Sequence, residues 1–186
     1  MVPFKLTICG IPELEKFSRA GVSHVLSILD PKEPEPLAFF AFDPHRRLEM
    51  RFDDVIVESP QYQAPQIRDI EDLLAFGSAL DEDAQPTHLL VHCHMGVSRS
   101  TASMMILLAQ AKPEVPAEEI AREVQRIRPI AWPNLRMITF GDELLGRSGS
   151  LIAAAKGIYR RRAEADPQMA RIIHAAGRLA EVEGLV

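Results

Sequence analysis

The run from Leu89 to Ala111 limits the fold more than any other part of the chain. Leu89-Leu90-Val91 is a short apolar segment of the kind buried at the centre of a sheet. From about Arg99 to Ala111 the chain is apolar almost all round, through Met104, Met105, Ile106, Leu107 and Leu108, as in a helix buried in the middle of a domain. Only the loop His92 to Ser98, with Gly96 inside it, separates the two. A buried strand passing straight into a buried helix demands an α/β arrangement with sheet and helix in one core.

The remaining segments fit that plan. Phe4 to Ile8 predicts a short strand, and Gly21 to Leu29 a turn entering another. Pro31 to Pro36 interrupts regular structure three times and predicts a surface loop. Leu37 to Phe42 reads as an apolar strand or a buried turn, whereas Leu48 to Phe52 alternates as a strand buried on one face does. A polar segment, Asp53 to Pro65, precedes helical spacing at Ile67, Ile70, Leu73 and Leu74, ending near Leu80. Asp81 to Pro86 predicts an acidic loop. Ala117 to Arg128 predicts an amphipathic helix stopped by Pro129, and Leu135 to Leu145 another, closed by Gly146. Two further helices are expected. Ser150 caps one, and Asp166-Pro167 opens the other, with Met169, Ile172, Ile173, Ala176 and Leu179 on its apolar face.

Composition narrows the function classes. With 186 residues, 47% hydrophobic and 25% charged, the chain suits a soluble globular protein of ordinary domain size. A net charge of -5 argues against a broad nucleic-acid surface, and the triplet Arg160-Arg161-Arg162 reads as a solvated helix face. No basic leader with a long apolar run opens the sequence, and no apolar stretch is long enough for a membrane span. The two cysteines, Cys9 and Cys93, cannot staple a secreted domain, so a reducing compartment, the cytoplasm, is expected. Cys9 lies in KLTICGI and reads as a small buried hydrophobe rather than a redox partner for Cys93.

The chemistry concentrates in Val91-His92-Cys93-His94-Met95-Gly96-Val97-Ser98-Arg99-Ser100-Thr101. A helix N-terminus offers free N–H groups and the positive end of a dipole, and a short loop containing glycine can curl into a nest of N–H groups. Arg99 can fork two donors onto phosphate oxygens. An ordinary thiol titrates near ~8.5, and helix N-termini or nearby cations lower that to roughly 3.5–7.5. Cys93 is thus a candidate nucleophile and Arg99 a candidate oxyanion clamp at opposite ends of one turn.

His92-Cys93-x-x-Gly96-x-x-Arg99-Ser100 resembles the signature loop of the protein tyrosine phosphatase superfamily, most closely its compact dual-specificity branch. Gly21 to Leu26 resembles an early strand of that fold, and Arg128-Pro129 with Pro133-Asn134 resembles its element after the central helices. The resemblance implies an α/β fold with a mixed, mostly parallel sheet flanked by helices. A catalytic domain would span residues 1–146, and 147–186 would form extra C-terminal helices packed on or beside it. It implies a phosphocysteine on Cys93, phosphate binding by Arg99, and help from Ser100 as the thiolate leaves. His92 would orient the loop and help keep Cys93 ionised, and His94, Met95, Gly96, Val97, Ser98 and Arg99 would cradle the substrate. No cofactor and no metal are implied.

The family takes its general acid from an aspartate upstream, preceded by apolar residues two and four positions before it. Asp54 has Phe52 and Met50 there; Asp53, the second candidate, has Arg51 and Glu49, the wrong face of the strand. Asn134 is a candidate for positioning water. The interval from Asp54 to Cys93 exceeds that of compact relatives, which predicts an enlarged loop at Val55 to Pro65.

The expected function is hydrolysis of phosphate monoesters, on phosphotyrosine with phosphoserine and phosphothreonine as further substrates. Partners would be a phosphorylated protein or a small phosphomonoester, without nucleic acid or membrane. Alternatives are a catalytically weak phosphoprotein-binding module, a phosphatase for phosphoinositides or small molecules, and sulfur transfer or arsenate reduction. The absence of lysine between Cys93 and Arg99 weighs against polyphosphorylated lipids. His92-Cys93-His94 could ligate a metal, but residues so close in sequence rarely close a tetrahedron.

Overall fold

The structure is a computed structural model that describes residues 5–81 and 88–185. Its strands are β1 (Lys5–Gly10), β2 (His24–Leu29), β3 (Arg46–Arg51) and β4 (His88–Cys93). Its α-helices are α1 (Ile67–Asp81), α2 (Arg99–Ala111), α3 (Ala117–Ile127), α4 (Leu135–Leu144), α5 (Ser150–Ala165), α6 (Pro167–Ala175) and α7 (Leu179–Val182). The sheet order is β1-β4-β2-β3. Each described strand pair is parallel, so the sheet that the resemblance led us to expect as mixed is parallel throughout these residues.

Side-chain alternation divides the core between the two sheet faces. Ile8, Leu26, Ile28, Met50, Leu89, Val91 and Cys93 point into one cluster with the α-helices. Cys9, Val25 and Leu90 point into a smaller one with Leu14 and Phe39, which come from the 3-10 helices Ile11–Phe17 and Leu37–Ala41. β4 is inner and apolar and is buried along its whole length. It delivers Cys93 to the sheet's C-terminal edge, where open parallel sheets place their ligand sites. α2 is buried from Arg99 to Ala109, as its all-round apolar character requires.

Several local expectations need correction. Leu37 to Phe42 is neither strand nor buried turn: its 3-10 helix buries Phe39 and leaves Leu37 and Phe40 largely exposed. Ser150 does not cap α5. Gly149 holds the cap position at φ 84°, and Asp142 accepts from Gly149 N (2.6 Å) and Leu151 N (2.8 Å). Ile172 is exposed on the outer face of α6, and Leu179 is exposed because α6 ends at Ala175 and Gly177, at φ 77°, redirects the chain before α7. Ala170 and Ile173 carry the buried face instead. The strand expected from Phe4 begins, among the described residues, at Lys5. Of the predicted acidic loop, Asp81 ends α1 and the rest lies outside the described residues.

α5, α6 and α7 share the main core. Leu151, Ala155, Ile158, Tyr159, Ile173 and Val182 pack in the cluster that holds α2. Tyr159 stacks on Trp132 at 4.8 Å and donates to Pro133 O at 2.5 Å. The C-terminal helices are thereby fastened to the segment linking α3 to α4, beside the loop after β4. Among the described residues no helix is long and apolar enough to cross a membrane.

Candidate active site

The loop from Cys93 to Arg99 is shaped from behind by β1. Gly10 lies opposite Cys93 in the parallel register, and a side chain on it would meet His94 O at 2.9 Å. Gly96 sits at φ 67°, and a Cβ there would come within 2.4 Å of the Cys9 carbonyl carbon. Both the backbone angle and the close approach require glycine at Gly96.

The carbonyls from His94 to Ser98 are all taken, the first four of them by groups outside the loop. Ile11 N donates to His94 O (3.0 Å), Arg128 Nη2 to Met95 O (3.0 Å) and Arg128 Nε to Gly96 O (3.0 Å). Trp132 N donates to Val97 O (2.9 Å), and Ala102 N and Thr101 Oγ1 to Ser98 O. Across a planar trans peptide the C=O of one residue and the N–H of the next point in opposite directions. With their carbonyls drawn outward, the peptides from His94 to Arg99 turn their N–H groups inward, a nest at the N-terminus of α2. Arg128 is itself held by Glu13, at 2.9 and 2.7 Å, and Glu13 also accepts from Gly10 N.

Cys93 Sγ lies 3.2 Å from Ser100 Oγ, both buried. Arg99 is buried, and its Nη1 donates to Phe52 O (2.6 Å) and pairs with Asp30 (2.6 Å), while Nε has no acceptor among the described residues. The guanidinium is thus pinned from one side with a buried donor left over. His92 is fully buried, and its Nε2 shares a 2.8 Å hydrogen bond with Ser27 Oγ. Burial drives its pKa down to about 4, which the Cys93 main chain only partly offsets. The ring is therefore neutral near pH 7, and it braces β4 against β2 beside Cys93.

The two aspartates separate cleanly. Asp53 faces its own loop, exchanging hydrogen bonds with the Gln63 main chain through N (2.8 Å) and Oδ2 (2.7 Å). Asp54 reaches the Cys93 loop, where Oδ1 accepts from Ser98 Oγ (2.7 Å), Asn134 Nδ2 (2.9 Å) and Arg178 Nη1 (3.1 Å). Desolvation pushes its carboxyl up, but Arg178, Arg99, Asn134 and Ser98 together draw it below the ordinary aspartate value. About a third of the side chain (32%) stays open to solvent, so the desolvation acting against its charge is partial. Asn134, expected to position water, directs its amide to Asp54 and Val55 O (3.2 Å) and caps α4 through Met137 N. It fastens the loop that carries Asp54.

Three contributors escaped the sequence reading. Glu13 and Arg128 brace the loop, and Arg178, from the C-terminal helices, touches Asp54. Arg178 is buried and also binds Glu181 (2.7 Å), which accepts from Trp132 Nε1 (2.9 Å) and Leu135 N (2.8 Å). Burial pushes the Glu181 carboxyl up against the pull of Arg178, while the two carboxylates hold Arg178 charged. An Arg and a Glu three apart, next to Leu179 and Val182, were the available sign.

His94 and Met95 are exposed at the loop's rim. Asp30, Glu33 and His94 bring ligand atoms within 4.8 Å of one another, but Asp30 is committed to Arg99. Cys9 is buried on the sheet face opposite Cys93, and burial pushes its thiol up to about 12. A disulfide between the two would require taking the β1–β4 register apart.

No protein-family model matches the chain. Over 51 residues it is 53% identical to human protein phosphatase Slingshot homolog 3, a match covering 27% of this chain and 8% of that protein's length. The structure of human DUSP28 superposes with a TM-score of 0.56 at 19% identity, covering 76% of this chain and 94% of that one. DUSP15 superposes with a TM-score of 0.56 at 19% identity, covering 86% and 93%. The chain has the fold of the dual-specificity branch of the protein tyrosine phosphatase superfamily, and it resembles that branch in a stretch of sequence as well.

Proposed function

We propose that the chain hydrolyses phosphate monoesters through a phosphocysteine on Cys93, acting on phosphotyrosine with phosphoserine and phosphothreonine as further substrates. The supporting observation is the loop whose carbonyls from His94 to Val97 are tied outward beside a buried thiol, ending at an arginine with a spare buried donor. Such a cradle fits the equatorial oxygens of a transferring phosphoryl group, which asks mainly for positioning and charge stabilisation.

In this reading the Cys93 thiolate forms the S–P bond as the ester P–O bond breaks, and Asp54 gives its proton to the leaving oxygen. Water then attacks phosphorus, Asp54 takes up the water's proton, and the S–P bond breaks with its electron pair returning to sulfur. The Ser100 hydroxyl, 3.2 Å away, donates to that thiolate. Arg99 and the inward N–H groups of the loop carry the phosphoryl charge throughout. The chemistry needs a reduced Cys93, which suits the cytoplasm. The exposed Met95 at the rim favours an aromatic or apolar group beside the phosphate.

A phosphate-binding module with weak turnover is the second reading, favoured by one feature: the Asp54 carboxylate is tied by three donors and held towards its ionised form. The two are separated by hydrolysis of p-nitrophenyl phosphate with reductant and chelator present. The enzyme reading expects turnover that Cys93→Ser abolishes, and a labelled phosphoenzyme that accumulates on acid quench. Wild-type protein that binds vanadate but neither turns over nor becomes labelled would establish the binding module instead.

A further inference from the structure

We infer that Arg178, supplied by the C-terminal helices, is a positioning residue for the proton donor Asp54 and thereby sets how well the site expels poor leaving groups. The inference rests on the reading of Asp54 as the general acid. Its starting point is topological. The catalytic loop, the aspartate loop and Asn134 all lie before residue 147, yet the carboxylate they surround is completed by a guanidinium 124 positions further along the chain.

The geometry limits what Arg178 can do. It is buried, with its Nη atoms committed to Asp54 (3.1 Å) and Glu181 (2.7 Å), so it offers no surface to substrate. Glu181 is in turn fixed by Trp132 Nε1 and Leu135 N, and Trp132 by its stack on Tyr159. The chain of contacts runs from the core of the C-terminal helices to Oδ1 of Asp54. Ser98, Asn134 and Arg178 all take Oδ1, which leaves Oδ2 as the oxygen for proton transfer.

The groups acting on Asp54 are Arg178 and Arg99 as cations, Asn134 and Ser98 as neutral donors, and Tyr159 and Glu181 behind Arg178. Asp53 beside it is turned to the Gln63 main chain. A dianionic phosphate in the cradle neutralises Arg99, which leaves Arg178 as the cation that governs how firmly Asp54 holds its proton. Opposite charge within hydrogen-bond reach favours the carboxylate. Arg178 thus makes Asp54 a stronger acid towards the leaving oxygen and keeps it in reach. A residue with a purely structural part would affect folding and all substrates alike.

The test compares Arg178→Gln, Arg178→Lys and Asp54→Asn in the full chain on aryl phosphates graded from a poor leaving group (phenol) to a good one (a fluorinated umbelliferone). General-acid catalysis contributes typically ~10²–10⁴-fold, and it matters least where the leaving oxygen needs no proton. Asp54→Asn is expected to lose far more on phenyl phosphate than on the fluorinated substrate. Arg178→Gln is expected to lose roughly tenfold or more in kcat/KM, which reports the step that expels the leaving group, on phenyl phosphate and about threefold or less on the good substrate. Its alkaline limb should move to higher pH, and Arg178→Lys should restore that limb in part.

A uniform loss across leaving groups with an unmoved limb overturns the inference while Asp54→Asn still shows its slope. A flat Asp54→Asn series removes the acid reading and this inference with it. Should Arg178→Gln not fold, the same two readouts on Arg178→Lys decide: leaving-group selectivity between wild type and Asp54→Asn supports the inference, and wild-type selectivity refutes it.

Discussion

Replacing Arg128 by methionine should unshape the proposed phosphate cradle without altering any residue of the Cys93 loop itself. Its guanidinium makes four hydrogen bonds, to Gly96 O, Met95 O and both oxygens of Glu13. A bond to a charged group is worth about 1.5–3 kcal/mol when fully formed and buried. The Glu13 half must be discounted, since 32% of that side chain is exposed and water replaces much of the loss. The loop half is less replaceable, because Gly96 is buried and Arg128 is 16% exposed. Together these give an expected stability loss of about 2–3 kcal/mol, read as a lower urea midpoint at unchanged m. The catalytic loss should be larger. Released carbonyls let the Met95 and Gly96 peptides rotate, and misplacement by ~1 Å can lower turnover about 10²-fold. Arg128→Lys, which keeps the charge but not the fork, should recover only part of it. The assay is p-nitrophenyl phosphate turnover alongside vanadate binding. Unchanged kcat and vanadate affinity in a folded Arg128→Met protein would refute the claim that outward-held carbonyls shape the site.

Three further outcomes follow from particular contacts. The folded pKa of His92, about 4, lies below the ordinary value of 6.5, so as pH falls the unfolded chain takes up a proton first. Stability should therefore hold above pH 6.5 and fall between there and pH 4, by on the order of 3 kcal/mol, in urea titrations across that range. An Asp142→Ala protein should lose about 1–2 kcal/mol in the same assay, because both N–H groups at the start of α5 lose their acceptor. Peroxide should inactivate Cys9→Ala at the wild-type rate, with no intramolecular disulfide by mass spectrometry in the wild type; a Cys9–Cys93 crosslink would show that the sheet opens in solution.

What could be read from the chain was what is contiguous in it. β4, the loop and α2 form one uninterrupted stretch, and each carries its own pattern: an apolar run, a glycine flanked by a cysteine and an arginine, then a helix apolar on every face. Asp54 was singled out through the family resemblance, and the two-residue period of Leu48, Met50 and Phe52 agrees with the structure in turning it to the inward face and Asp53 to its own loop. Helix ends were less legible where their caps come from elsewhere. Ser150 looked adequate for α5, but Asp142, on the preceding helix, supplies both acceptors.

Folding in three dimensions settled how the site is held. Gly10 against His94, Arg128 against two loop carbonyls and Glu13, Trp132 N on Val97 O and Arg178 on Asp54 all join residues distant in sequence. Such contacts leave no periodic trace, because a buried polar group is satisfied by whichever partner the packing brings within reach. The candidate residues of the Cys93 loop were therefore visible as letters in a row. Their orientation and charge depend on segments as far away as the last α-helices, which only the packed core brings to the same place.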